Sequence, residues 1–192
     1  MNHPLEQFYA EHRAISAVLH GMQYLVRQHK ERGRKLDPKV LRAMLYYLDV
    51  FPEREHHPKE ETILFAALRK RTREADEALD ELARQHEGGE NAIRNLEQDL
   101  LRYETGGEAE FPAFAAAVER FVEGYWAHMR MEEHEIMPLA RKHLTPEDWQ
   151  EAERAFASRK DPLEGADDLD ANALFSRIVS LAPPPIGLGP AN

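Results

Sequence analysis

The amino-acid sequence predicts an all-α protein, an up-down-up-down four-helix bundle with short C-terminal helices and an extended tail. Apolar residues recur at steps of three and four along four long segments, which is the period of a helix with one buried face. No segment shows the alternation of Val, Ile and Thr with polar residues that a strand would have. The connections between the four segments are short, which favours antiparallel neighbours in a bundle.

The first two predicted helices have recognisable ends. The first covers about residues 5–32 and is followed by Gly33, which is typical of a helix C-terminus. Asp37 and Pro38 then provide an N-cap and a first-turn proline for the second helix, which ends in a basic run. We expect Pro52 to kink or break this second helix, because proline removes a hydrogen bond and crowds the preceding turn.

The third and fourth predicted helices cover about residues 73–104 and 111–143, and the glycines at 106–107 make the turn between them. The third helix contains a glycine pair at 88–89, and each glycine inside a helix costs about 1 kcal/mol relative to alanine. Close packing beside a functional site would explain that cost. Pro138 is expected to bend the fourth helix near its end.

The C-terminal part carries weaker signals. Residues 145–146 read as an N-cap and a first-turn proline, so they predict a short fifth helix. A further short helix is expected around residues 171–180, followed by a Pro- and Gly-rich tail over 182–189. We therefore divide the chain into a four-helix bundle over 1–145 and a C-terminal helical extension with an extended tail over 146–192.

Composition excludes several classes of protein. The 192 residues include no cysteine, which removes disulfides, thiolate zinc sites and iron–sulfur clusters, so any metal must be held by nitrogen and oxygen. The net charge of −10 argues against a nucleic-acid partner. No apolar run approaches the roughly 18 residues of a membrane span, and the first residues lack the pattern of a secretory signal. We therefore expect no membrane association and a cytoplasmic location.

Histidines fall on the predicted buried face of every long helix. Two of them are followed four residues later by a glutamate on the same helix face, and burying such carboxylates is costly unless they are paired or bind metal. Glutamates and histidines that project inward from facing helices can build a two-metal centre. The candidate metal ligands are His12, His56, Glu60, His86, His128 and Glu132.

An internal echo sets the register of these ligands. Residues 56–65 and 128–137 both contain His-x-x-x-Glu-Glu, followed by two residues and an apolar pair. This alignment selects His56 and Glu60 over their neighbours His57 and Glu61. The neighbouring pair has the same spacing and stays open as an alternative.

At these residues the chain resembles the hemerythrin-like (HHE cation-binding) domain family. The matching segments are EHRAI around His12, HHPKEETILF, LARQHE around His86 and HMRMEEHEIMPLA, and the resemblance covers about residues 5–145. It implies a non-haem di-iron centre, an oxo- or hydroxo-bridged pair of iron ions, in a four-helix bundle. Carried over by position, one iron would be held by His12 and His56, the other by His86 and His128, and both would be bridged by Glu60 and Glu132. Zinc or manganese is also compatible with these donors.

The sequence departs from the oxygen-carrying members of that family. Those proteins have a second histidine four residues after the one on the third helix, and here that position is Glu90. They end with His-x-x-x-x-Asp, whereas this chain has His128-x-x-x-Glu132. Four histidines instead of five argue against reversible oxygen carriage and leave open positions on the metals, one of which Glu90 could fill.

The resemblance therefore implies a di-iron binding protein that senses or binds a small diatomic ligand, oxygen or nitric oxide, or handles iron in a stress response. The alternatives are a di-iron oxidoreductase acting on peroxide or nitric oxide, and a metal-stabilised interaction module. No separate acid, base or substrate pocket is recognisable in the sequence, which favours binding over catalysis. Tyr125 is of interest because it lies one helical turn before His128. The sequence names no protein partner.

Overall fold

The computed structural model describes residues 4–158, 176, 178–180, 182 and 186–187. Within these residues every regular element is helical and none is a strand. We label the helices α1 (Pro4–Arg32), α2 (residues 38–71), α3 (Asp76–Gly106), α4 (residues 111–143) and α5 (Pro146–Ser158). A short 3-10 turn, Gly107–Ala109, joins α3 to α4. The predicted all-α class and a helical bundle are therefore confirmed.

Helices α2 and α4 are continuous but change their pitch. In α2, α-helical segments Pro38–Leu48, His57–Lys59 and Ala66–Arg71 alternate with π-helical segments Asp49–His56 and Glu60–Phe65. In α4, the π-helical segment Glu132–Ile136 separates Phe111–Met131 from Met137–His143. The wider π turn is uncommon and is frequently found at functional sites.

Of the kink or break expected at Pro52, the break is wrong: Pro52 lies inside the π-helical segment Asp49–His56, and the helix continues through it. Two π turns also close just before prolines: the backbone N–H of His57 bonds to the carbonyl of Pro52, and that of Met137 bonds to the carbonyl of Glu132, in both cases five residues back. These two donors directly precede Pro58 and Pro138. The additional residue in the π turn makes room for the ring of the proline that follows. The hydrogen bond that proline cannot donate is already absent from the wider turn, so the helix continues.

The remaining helix ends match the sequence expectations. Gly33 has a φ of 62° and its N–H bonds to the carbonyl of His29 at 2.9 Å, which closes α1. The Asp37 carboxylate accepts the backbone N–H of Lys39 at 2.9 Å, which caps α2. Gly107 has a φ of 72° and ends α3.

The buried apolar side chains form two clusters. One lies around Phe8, Phe65 and Leu82, and the other around Leu19, Leu45 and Val118. Along α1 and α3 the chain passes from the first cluster to the second, whereas along α2 and α4 it passes from the second to the first. The candidate ligands lie between the two clusters on all four helices, so apolar packing encloses them from both sides.

Helix α5 docks against the rest of the bundle through a capped N-terminus. The Asp148 carboxylate accepts the backbone N–H of Thr145 at 2.8 Å and two hydrogen bonds from the Arg71 guanidinium at 2.8 and 2.9 Å. The Thr145 hydroxyl accepts the N–H of Asp148 in return. This reciprocal arrangement is a capping box, and Arg71 ties it to the end of α2.

The predicted helix around 171–180 and the tail over 182–189 lie largely outside the described residues. Among the described ones, Ile178 and Ala182 are buried in the second apolar cluster, and Ile186 packs partly against it. None of the described helices has the length and apolar character needed to cross a membrane.

Replacing Asp148 with alanine should lower the free energy of unfolding by about 1 kcal/mol, because α5 loses its cap and its ion pair. The hydrogen bonds from Arg71 lower the pKa of Asp148 from 3.8 to about 2. A depressed folded-state pKa stabilises the protein fully above about pH 4, and this contribution is lost as the pH falls through about 2. Urea unfolding from pH 7 to pH 3 should show the difference from wild type shrinking below pH 4. The exposed Glu151→Ala variant on the same helix is the control, and a deficit independent of pH would contradict the ion-pair account.

Candidate metal centre

Four histidines meet in two pairs between the apolar clusters. The Nε2 atoms of His12 and His56 lie 3.1 Å apart, and those of His86 and His128 lie 3.2 Å apart. Two donors bound to one metal at right angles, with bonds of about 2.1 Å, would be separated by about 3.0 Å. Each pair therefore has the spacing of neighbouring ligands on a single ion.

The Glu60 and Glu132 carboxylates lie between the two pairs. Glu60 places Oε1 3.5 Å from His56 Nε2 and Oε2 3.7 Å from His86 Nε2. Glu132 places Oε2 3.3 Å from His12 Nε2 and Oε1 3.1 Å from His128 Nε2. Each carboxylate thus presents one oxygen to each histidine pair, which is the geometry of a bridge between two cations.

These carboxylates are buried without hydrogen-bond donors. Glu60 is 0% exposed and Glu132 is 1% exposed. None of their four oxygens has a hydrogen-bond partner within the described part of the chain. Burying ionised carboxylates in this way is costly unless cations neutralise them. The donor set of imidazole nitrogen and carboxylate oxygen suits a transition metal, so the residues fit the metal that the sequence predicts.

The outer nitrogen of every histidine in the two pairs has an oxygen acceptor. Such an acceptor fixes the tautomer, because the Nδ1–H donates to it and Nε2 is left free to bind a metal. The Nδ1 atoms of His12, His56, His86 and His128 lie 2.8 Å from Glu133, 2.7 Å from Glu11, 2.9 Å from Glu61 and 2.9 Å from Gln85, respectively.

Sequence reasoning found only part of this supporting set. For Glu61 and Glu133, each next to a predicted ligand, it left open whether they lie beside the site or face solvent, and both lie against histidines. It missed Glu11 and Gln85. Each of these precedes a predicted ligand by one residue and supports a histidine on the next helix, so adjacency to a ligand was the available signal.

In the absence of metal, the buried carboxylates and histidines shift one another's pKa values. Burial and the Glu132 charge hold the pKa of Glu60 well above its usual range. Burial lowers the pKa of His12, but pairing with Glu132 and Glu60 outweighs it and raises this pKa to about 11. A protonated His12 therefore supplies part of the positive charge that the carboxylates require, and a metal ion would take over that role.

The structure resolves the placement of the remaining candidates. His56, in the predicted register, faces His12, whereas its neighbour His57 faces His86 and His128 on the other side. Glu61 supports His86. Glu90 is exposed and is not among the residues whose donor atoms converge, so it does not replace the missing histidine of α3.

A cleft of about 440 Å³ opens beside the second histidine pair. Its walls come from α2, α3 and α4 and include Glu53, His57, Gly89, Tyr125 and His128. This cleft was not predicted from the sequence, because its walls come from segments far apart along the chain.

Removing one of the Nδ1 acceptors should weaken metal binding without removing a ligand. For Glu11→Ala we expect an affinity loss of about 10- to 100-fold, because His56 loses the partner that orients its ring. Competition with a chromophoric chelator measures the change. Glu6→Ala, an exposed position on the same helix, is the control. An unchanged affinity in Glu11→Ala would show that this hydrogen bond does not orient a ligand.

Comparison with known proteins agrees with this geometry. The model of the hemerythrin HHE cation binding domain matches residues 3–140. A search of curated proteins finds no match to the chain. The family match covers more than half of the sequence and includes all six predicted ligands. The chain therefore belongs to the hemerythrin HHE cation-binding domain family.

Proposed function

We propose that this protein is a non-haem di-iron binding protein whose four long helices run up-down-up-down around the metal pair. The order in which the chain passes through the two apolar clusters reverses from each helix to the next, and this reversal supports that topology. The observation that carries the metal proposal is the set of four unpartnered oxygens on Glu60 and Glu132, each aimed at a histidine pair. The family match supports iron in particular, since the donors alone would also accept zinc or manganese.

The role that we propose for this protein is to bind or sense oxygen or nitric oxide, or to handle iron in a stress response. Reduced iron supplies an electron-rich site to which a small diatomic molecule binds. The protein's part is to hold the metals among buried side chains. Phe8 and Phe65 pack with ring centroids 5.8 Å from those of His56 and His86, respectively, and keep water from the inner faces of the site.

A second function is favoured by one observation in the cleft. The Tyr125 hydroxyl donates to Glu53 Oε1 at 2.8 Å, and Glu53 Oε2 lies 3.3 Å from His57 Nδ1. This chain of groups leads from the cleft toward the metal site and is suited to moving a proton. Such a route would serve an oxidoreductase acting on peroxide or nitric oxide.

Metal analysis tests the site itself. Protein purified from iron-supplemented cells should contain about two iron atoms per chain, as expected for a dinuclear bundle site. The His56→Ala/His128→Ala double variant removes one ligand from each pair and should lose both. The exposed His20→Ala/His134→Ala double variant is the matched control and should retain iron. Full folding of the wild type with no bound metal would overturn the proposal.

Rapid mixing separates binding from catalysis. The reduced protein is mixed with oxygen, nitric oxide or hydrogen peroxide while its absorption spectrum is followed. A reversible spectral change with oxygen or nitric oxide, without turnover, is the expected result. Repeated turnover of peroxide that is slowed in Tyr125→Phe would instead support the oxidoreductase. No spectral response to any of the three reagents would contradict both.

A further inference from the structure

A fifth histidine, His57, has the surroundings of a metal ligand. It is 5% exposed, and its Nε2 has no hydrogen-bond partner among the residues described. Its donor atom lies in a group with those of Glu60, His86 and His128, all within 4.8 Å of one another. A buried histidine nitrogen without a partner is unfavourable unless something occupies the space that it faces.

The three histidine rings of this group lie close to one another, and the ring of His57 stacks on that of His86. The ring centroid of His57 lies 4.1 Å from that of His86 and 5.2 Å from that of His128. The His86 and His128 centroids are 4.8 Å apart, and those of the His12 and His56 pair are 4.9 Å apart. The ring of His57 therefore lies about as far from each ring of the second pair as the two rings of a pair lie from each other.

His57 is also oriented like the other four histidines. Its Nδ1 lies 3.3 Å from Glu53 Oε2, so a carboxylate accepts the outer N–H and leaves Nε2 as the free donor. The side chain of Glu53 is only 2% exposed, and the hydroxyl of Tyr125 donates to its other oxygen at 2.8 Å. A buried carboxylate held at both oxygens fixes the histidine ring with little freedom.

Gly89 on α3 explains how Glu53 reaches this position. A Cβ added at Gly89 would lie 2.0 Å from Glu53 Oε2, so any side chain there would displace the carboxylate. At Gly88 an added Cβ would meet nothing within 4 Å. The close packing expected from the glycine pair therefore applies to Gly89. The absence of a side chain there leaves room for the Glu53 carboxylate that orients His57.

The internal echo shows that the two halves of the site differ at this point. His57 follows His56, and the equivalent position after His128 is Met129. Met129 is buried, and its sulfur lies 4.0 Å from the Ser16 hydroxyl. One half of the site thus offers an additional nitrogen where the other half offers an apolar side chain.

On the basis of the proposed two-metal site, we propose that His57 is a fifth histidine ligand, bound to the metal that His86 and His128 hold. That metal then has three histidines, whereas the metal held by His12 and His56 has two. The fifth histidine comes from α2, not from α3, where Glu90 stands. The His12 and His56 pair would then hold its metal with one histidine fewer.

Proton NMR of the reduced, iron-loaded protein counts the metal-bound histidines directly. Each bound imidazole with a protonated Nδ1 gives a hyperfine-shifted resonance that exchanges with solvent. We expect five such resonances in the wild type and four in His57→Gln. His143→Ala, a histidine substitution outside the site, should keep all five. Gly89→Ala should perturb the His57 resonance most, because the new methyl group displaces Glu53.

The outcomes separate this inference from the proposed function. Two bound irons with four exchangeable resonances in the wild type would overturn the role of His57 and leave the di-iron site intact. Absence of bound iron would overturn the di-iron proposal itself. The count in the wild type decides the question even where a variant does not fold.

Discussion

The burial of two carboxylates between two apolar clusters is the constraint on which the rest of the site depends. Glu60 and Glu132 lie where water cannot solvate them, and the nitrogens that face their oxygens are those of the histidine pairs. Positive charge must be supplied at that point, by a protonated histidine or by metal. The histidine on each neighbouring helix, and the acceptor behind each histidine, follow from that requirement.

The change of pitch in α2 and α4 serves the same constraint. Glu60 and Glu132 are each the first residue of a π-helical segment, at corresponding places in the internal echo. A π turn adds one residue and shifts the side chains that follow relative to a regular helix. The carboxylates thus face the histidines while the apolar residues after them, such as Leu64 and Ile136, still point into the adjacent cluster. Pro58 and Pro138, which follow two of the π segments, stabilise this departure from the α-helix. Proline has no backbone N–H and therefore cannot form the regular α-helical hydrogen bond.

The sequence predicted the helices and the six converging side chains because both depend on spacing within one helix. His56 and Glu60 share a face at four residues, and buried stripes identify His12 and His86. The sequence raised His57 as an alternative ligand and close packing at the glycine pair, but it did not show that Glu53 lies between them, because that depends on how closely α2 approaches α3. The expected break at Pro52 failed for a related reason. A local rule for proline in a regular helix does not apply where the helix has already widened.

The pattern of supporting hydrogen bonds links the two halves of the molecule. Glu11 and Gln85 each support a histidine within their own helical hairpin, α1 with α2 and α3 with α4. Glu61 and Glu133 each reach across to the opposite hairpin. Two identical hairpins meeting as separate chains could form these same contacts, but symmetry would give both metals the same surroundings. Joining the hairpins in one polypeptide frees each half to vary alone, which is how histidine at 57 can coexist with methionine at 129.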